Sequence, residues 1–486
     1  MQIQQIRKSL SLGVIGGLGA IGSADLYAKM TRAVAKSGKI SLLFSEQAFA
    51  GSDMAGAENA QANGRKLYVF DMLRELEQRQ CDAVLLPCFI SHTFLDEVQA
   101  EIKLPVIDMM GAIRDHLAQR LPKLKKIGIL TSSYVRKKAL FEKYFHPEEM
   151  QLLYPDAAVQ SACVMRAVYG TSGIKNGHLD GQSIELLYHA CKELIDRGAQ
   201  VIVPGITEIA AVADMLSARG IPIVDTNRIY AEFASHFQPV MRAQAFKIGV
   251  VGGVGPAATV DFMEKIISNT PAKRDQDHLK LVVEHNPKIP DRTNNLIADG
   301  ADPTVAIYAA CKRLENDHAD MIAIPCNTAH AFVERIQAYL SIPIINMLSE
   351  TVAYIETHHR EKTCIGLLAT AGTIASGVYH QQIACSKFKL LTPDDEHQAL
   401  VTEVIYGEHG VKAGVVNDLV RAKLLRAIAW LVAQGADVIV LGCTELPLVI
   451  AQHDAFEISG RTVALLDPTE ILARKCVALA GLRNQP

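Results

Sequence analysis

The chain is written twice. LGVIGGLG at 12–19 returns as IGVVGGVG at 248–255, and LPCFISH at 86–92 returns as IPCNTAH at 324–330. LPVID at 104–108 returns as IPIIN at 342–346, YGTSGIK at 169–175 as YGEHGVK at 406–412, and VIVPGITE at 201–208 as VIVLGCTE at 438–445. The offset stays between 236 and 238 residues throughout. Solenoid repeats run to roughly 20–50 residues, so a period this long means two tandem domains. The junction is expected near residues 238–247, which divides the chain into 1–242 and 243–486.

Each copy alternates short apolar strands with helices. In the second copy strands are expected at 247–251, 279–283, 321–324, 343–345, 363–368 and 438–441. Helices are expected at 257–269, 304–316, 329–339 and 424–434. That rhythm implies an α/β fold with parallel sheets covered by helices on both faces. Two such runs per copy predict two pseudo-symmetric lobes per domain. In open sheets of this kind ligands sit beyond the carboxyl ends of the strands. Cys326 and Cys443 each fall at such a strand end, one in each lobe.

Composition narrows the function classes. With 49 basic and 52 acidic residues the formal charge is -3, which gives no electrostatic case for nucleic acid. No apolar run approaches the roughly 18 residues needed to span a membrane. The start of the chain reads as a first strand and a glycine turn instead of a signal peptide. Ten cysteines occur without a CxxC pair, so no zinc or dithiol motif is expected, and the compartment reads as reducing and cytoplasmic.

A thiol between a strand end and a helix start would feel the positive end of the helix dipole, which favours thiolate. The bland alternative is a packed core cysteine. Two equivalent strand-end thiols, each followed by small polar residues (Asn327 and Thr328, and Thr444), weigh against it. Thiols facing each other across a cleft suit the inversion of a carbon: one removes a proton and the other protonates the opposite face. Arg292 and Lys412 would supply cations for an acidic substrate. His330, one helical turn after Cys326, either orients the cleft or packs.

The motifs at 252–259, 289–293, 325–330, 368–373, 411–414 and 441–446 together resemble the aspartate/glutamate racemase family, on its cofactor-independent aspartate racemase branch. The resemblance covers nearly all of residues 247–480. It implies a racemase that interconverts L- and D-aspartate, or glutamate, with neither pyridoxal phosphate nor metal. By that likeness Cys326 and Cys443 are the acid/base pair. Asn327, Thr328 and Thr444 would hold the α-carboxylate, and Arg292 and Lys412 the side-chain carboxylate. In related glutamate racemases the first thiol serves the D-isomer and the second the L-isomer. The family often works as a dimer, so the first copy is expected to act as a covalent stand-in for a partner, with further homo-oligomers open.

The first copy departs from the pattern. Cys88 remains, but Ile206 stands opposite Cys443, Phe89 and Ile90 stand opposite Asn327 and Thr328, and Asp53-Met54 stand opposite Asp291-Arg292. The first domain is therefore expected to be inactive, its arginine lost and Cys88 a packed relic. Two other functions fit single features. The glycine loops at 17–22 and 253–258 match a dinucleotide-binding pattern and suggest an NAD-dependent dehydrogenase. The drifted first copy would also suit a tandem metabolite-binding protein.

Overall fold

The computed structural model describes residues 9–35, 40–47, 60–146, 148–239, 245–384 and 386–483. The chain divides into two compact units, Met1–Gln244 and Ala245–Pro486. In the first unit the strands are β1 (Leu10–Ile15), β2 (Ile40–Ser45), β3 (Ala83–Leu85), β4 (Lys126–Thr131), β5 (Gln151–Leu153) and β6 (Val201–Gly205). They form two parallel sheets, ordered β2-β1-β3 and β5-β4-β6.

The second unit repeats the plan with β7 (Lys247–Gly252), β8 (Lys280–His285), β9 (Met321–Ala323), β10 (Ile344–Ile345), β11 (Cys364–Ala369), β12 (Lys389–Leu391), β13 (Val438–Gly442), β14 (His453–Ile458) and β15 (Arg461–Leu466). Its sheets run β10-β9-β7-β8 and β12-β11-β13-β15-β14. Read in one direction, β10-β9-β7-β8 and β15-β13-β11-β12 are the same order, so β9 and β13 occupy equivalent central places. All five residues of β13 are buried, as its uninterrupted apolar run requires of a strand covered on both faces. Burying each such Val, Ile or Leu is worth about 1.5–3 kcal/mol.

Two details depart from the alternating pattern. β14 pairs antiparallel with β15 through a two-residue turn at Ser459 and Gly460, which have φ of 50° and 73°. Positive φ at both central positions matches the right-handed twist of a tight hairpin. The closing helix, Pro468–Arg483, turns back onto the first lobe and buries Leu472, Ala473 and Cys476 with Ile248 and Phe262. That contact ties the two lobes of the second unit together. No helix among the described residues is long and apolar enough to cross a membrane.

Candidate active site

Cys326 follows β9 and Cys443 follows β13, so equivalent strands of the two lobes each end in a free thiol. The thiols are 7% and 6% exposed. Arg292, Cys326, Asn327, Thr328, Lys412, Cys443 and Thr444 line one cavity. The structure thus brings together all seven residues singled out from the sequence. Thr293, Thr370, Tyr406 and Glu445 line it with them.

The helix expected at 329–339 forms differently. A 3-10 turn covers Thr328–Phe332 and a short α-helix covers Val333–Gln337. After Cys443 only a 3-10 turn, Leu446–Leu448, follows. Neither thiol therefore meets the start of a long helix, and local partners set its electrostatics.

Cys443 donates its S–H to Glu445 Oε2 at 3.0 Å, and Thr444 Oγ1 donates to the same oxygen at 3.3 Å. Glu445 Oε1 pairs with Lys412 Nζ at 2.8 Å. Burial first, and the Glu445 charge second, hold the Cys443 pKa well above the usual thiol value. The dipole argument predicted the opposite direction; burial and a buried carboxylate outweigh it here. Lys412 loses charge stability through burial, but Glu445 and then Cys443 more than restore it, so its pKa is raised. Its ammonium also lies 5.4 Å from the centre of the Tyr406 ring. Lys412 is therefore one arm of a lysine–glutamate–thiol cluster.

Cys326 sits in the opposite field. Arg292 opens the helix Arg292–Ala298, which Asp291 caps by accepting from Asn294 N at 2.7 Å. Burial weakens the Arg292 charge, yet Cys326 and then Asp291 raise its pKa overall. Its Nη1 donates to Pro290 O at 3.1 Å. His330 fixes the thiol's backbone. Met347 N donates to His330 Nε2 at 3.1 Å, so Nδ1 must carry the ring proton, and it lies 2.9 Å from Cys326 O. Burial lowers the His330 pKa and keeps the ring neutral. His330 is held inside the fold.

The carboxylate-binding candidates are held from behind. Asn327 Oδ1 accepts from Tyr379 OH at 2.6 Å, which turns the amide nitrogen the other way. Asn327 Nδ2 and Arg292 Nε are buried and meet no hydrogen-bond acceptor among the described residues. Buried donors of this kind cost about 1–3 kcal/mol unless something accepts from them. Thr328 Oγ1 lies 2.8 Å from Thr373 Oγ1 and 3.1 Å from Thr370 Oγ1, and Thr293 Oγ1 links Thr370 Oγ1 to Tyr406 OH at 3.2 Å each. Burial pushes the Tyr406 pKa up to about 12, so its phenol stays neutral.

The glycine loop has another use than cradling a pyrophosphate. A Cβ on Gly255 (φ +123) would lie 2.8 Å from Glu445 Oε1, and one on Gly253 (φ +83) would lie 2.4 Å from the Asn286 backbone. These glycines admit the buried carboxylate and a close neighbouring strand. An anion placed there would meet Glu445, so the dehydrogenase reading finds no support.

In the first unit the equivalent strand ends carry Cys88 and Ile206, and they line one cavity. Asp53 and Met54 lie outside the described residues. Although the arginine equivalent to Arg292 is replaced in the sequence, a different one stands near Cys88: Arg65, on the helix Ala60–Gln78, donates from Nη1 to Cys88 Sγ at 3.5 Å. Cys88 is thus a cavity thiol with a cationic neighbour. Glu445 and Arg65 are the residues that motif comparison passed over. Glu445 stood inside a quoted motif, two places after a cysteine; nothing in the repeat pointed to Arg65.

Residues 15–234 and 251–476 each match the family described as Asp/Glu/hydantoin racemase. The broad specificity amino-acid racemase RacX of Bacillus subtilis is 30% identical over 248 residues, covering 48% of this chain and 96% of RacX. A glutamate racemase of Shewanella sp. (strain MR-4) is 30% identical over 170 residues, covering 34% of this chain and 58% of that protein. Among solved structures, the Picrophilus torridus aspartate racemase aligns at 30% identity with a TM-score of 0.42, covering 49% of this chain and 94% of its own.

Proposed function

Because this chain belongs to the Asp/Glu/hydantoin racemase family, we propose that its second unit interconverts the enantiomers of a small dicarboxylic amino acid, aspartate first. The Cα proton is exchanged between Cys326 and Cys443. The observation that carries this reading is one cavity lined by two free thiols from equivalent strand ends, with an arginine beside one and a glutamate beside the other.

Burial and then Glu445 favour the protonated form of Cys443, and the other thiol, Cys326, has Arg292 for its neighbour. In one direction the Cys326 thiolate takes the Cα proton, and the C–H electron pair passes into the carbanion stabilised by the α-carboxylate. Cys443 gives its S–H proton to the opposite face of the carbon. Cys326 ends as thiol and Cys443 as thiolate, with Lys412 placed to balance the new charge. The reverse reaction exchanges the two roles, and solvent resets the protons after release.

The unsatisfied Asn327 amide, with Thr328 and Thr444, suits the α-carboxylate, and Arg292 with Lys412 suits the side-chain carboxylate. Glu445 is the carboxylate available to the substrate ammonium. Two cations and one carboxylate in the site complement two carboxylates and one ammonium in the substrate.

The test is incubation of the full chain with L-aspartate in D₂O without added cofactor, followed by chiral chromatography and mass analysis. D-aspartate carrying deuterium at Cα is expected. No D-isomer, or turnover only after pyridoxal phosphate is added, overturns the proposal. L-glutamate run in parallel decides side-chain length: faster turnover of glutamate replaces aspartate as the substrate.

A further inference from the structure

Asn327 lines the cavity of the second unit and is only 2% exposed. Its amide has a donor end and an acceptor end, and the terminal torsion of an asparagine is broad and roughly two-fold. A hydrogen bond must therefore set which end points where. Tyr379, on the helix Val378–Ile383, donates its hydroxyl to Oδ1 at 2.6 Å. That separation suits an O–H···O bond and is short for N–H···O, so the oxygen is the end that meets the phenol. Burial pushes the Tyr379 pKa up, and the phenol keeps the proton it donates. The amide nitrogen is left buried with no acceptor among the described residues.

In the first unit both positions have changed together. At the offset of 238 that relates Asn327 to Phe89, Tyr379 falls on Phe141. The backbone supports that register: Gly377 and Ala139, two residues earlier in each copy, both have positive φ, 67° and 51°. Phe89 and Phe141 are buried and stack with ring centres 5.9 Å apart. The neighbouring hydroxyl follows the same rule. Thr328 Oγ1 lies 2.8 Å from Thr373 Oγ1, and the equivalent residues are Ile90 and Val135. The phenol is present where an amide receives its proton and absent where there is none, so the two work as a pair.

With this cavity read as the site of aspartate, we propose that Tyr379 is a positioning residue: it holds the Asn327 amide nitrogen toward the substrate and makes the site select an α-carboxylate over an α-carboxamide. A carboxylate offers acceptors alone and takes the hydrogen bond of the fixed N–H. A carboxamide carries an NH₂ in place of one oxygen, and there two donors meet. Without the phenol the Asn327 amide is free to turn, and its oxygen can accept from that NH₂.

The test compares wild type, Tyr379→Phe, Asn327→Ala and the double variant as full chains. Each is measured in racemisation of L-aspartate and in calorimetric binding of L-aspartate and of L-isoasparagine, its α-amide. Tyr379→Phe keeps the ring and removes one oxygen. It is expected to raise KM for aspartate about fivefold with little change in kcat, and to cut the preference for aspartate over isoasparagine about fivefold, as one hydrogen bond allows. In the Asn327→Ala background it is expected to change neither quantity. A phenol that only supports the fold leaves the preference unchanged and multiplies with Asn327→Ala; either result overturns the proposal. If aspartate is racemised while the preference ignores Tyr379→Phe, this inference falls alone. If aspartate binds without turnover, the proposed function falls and the preference still decides the role of Tyr379. Aspartate that neither binds nor turns over overturns both.

Discussion

The two pockets of this chain share a scaffold and part in what lines them. Both place a strand-end cysteine beside an arginine, and both set a lysine against a buried glutamate under a glycine loop. One then offers a second thiol, an amide and a hydroxyl; the other offers isoleucine, phenylalanine and isoleucine. The comparison separates binding from catalysis. A lysine–glutamate pair and an arginine–thiol contact recur in both pockets while the second thiol occurs in one alone, so on the proposed two-thiol exchange the retained charges and the acid/base pair are separable.

The largest expected effect comes from erasing that difference. Cys443→Ile, which copies the first pocket, and Cys326→Ala are each expected to lower aspartate racemisation by about 10²–10⁴-fold, the usual contribution of a positioned acid or base. Chiral chromatography measures it, and undiminished racemisation in either variant breaks the comparison. Next comes Arg292→Lys. It keeps the charge but loses the planar fork, so kcat/KM is expected to fall about 10- to 100-fold, as for a charged hydrogen bond worth ~1.5–3 kcal/mol.

A smaller change is expected from Asn327→Ala, which removes the unsatisfied amide donor. Raising KM about fivefold with little change in kcat corresponds to one hydrogen bond worth ~1 kcal/mol. An unchanged KM moves the α-carboxylate elsewhere. The last reads a titration shift instead of a rate. Glu445 raises the Cys443 pKa, so Glu445→Gln removes a negative neighbour and the thiol titrates at lower pH than in the wild type. Thiolate absorbance in a Cys326→Ala background reads this directly, and a shift to higher pH contradicts the assignment of Glu445.

The parts of this protein that follow from short-range order were legible in the residues. Strands 247–252 and 438–442 are apolar runs bounded by glycine, and helix Thr304–Asn316 has the bounds its periodicity predicts. The hairpin of β14 and β15 was missed because His453–Ile458 is polar along much of its length, although Ser459-Gly460 carried the turn signal. The short helices after Cys326 were overestimated because a packed 3-10 turn and an α-helix present similar apolar spacing over five residues.

The sequence by itself determined the duplication, the α/β class and the equivalence of the two strand-end cysteines, because each is written in repeats and periods along the chain. Only the tertiary structure decided that Glu445 accepts the hydrogen bond of the Cys443 thiol, and that Arg65, 23 residues before Cys88, stands beside it. Electrostatic partners act through space and fall off with distance between atoms, and no period along the chain records which side chains a closed cavity brings within 3–4 Å.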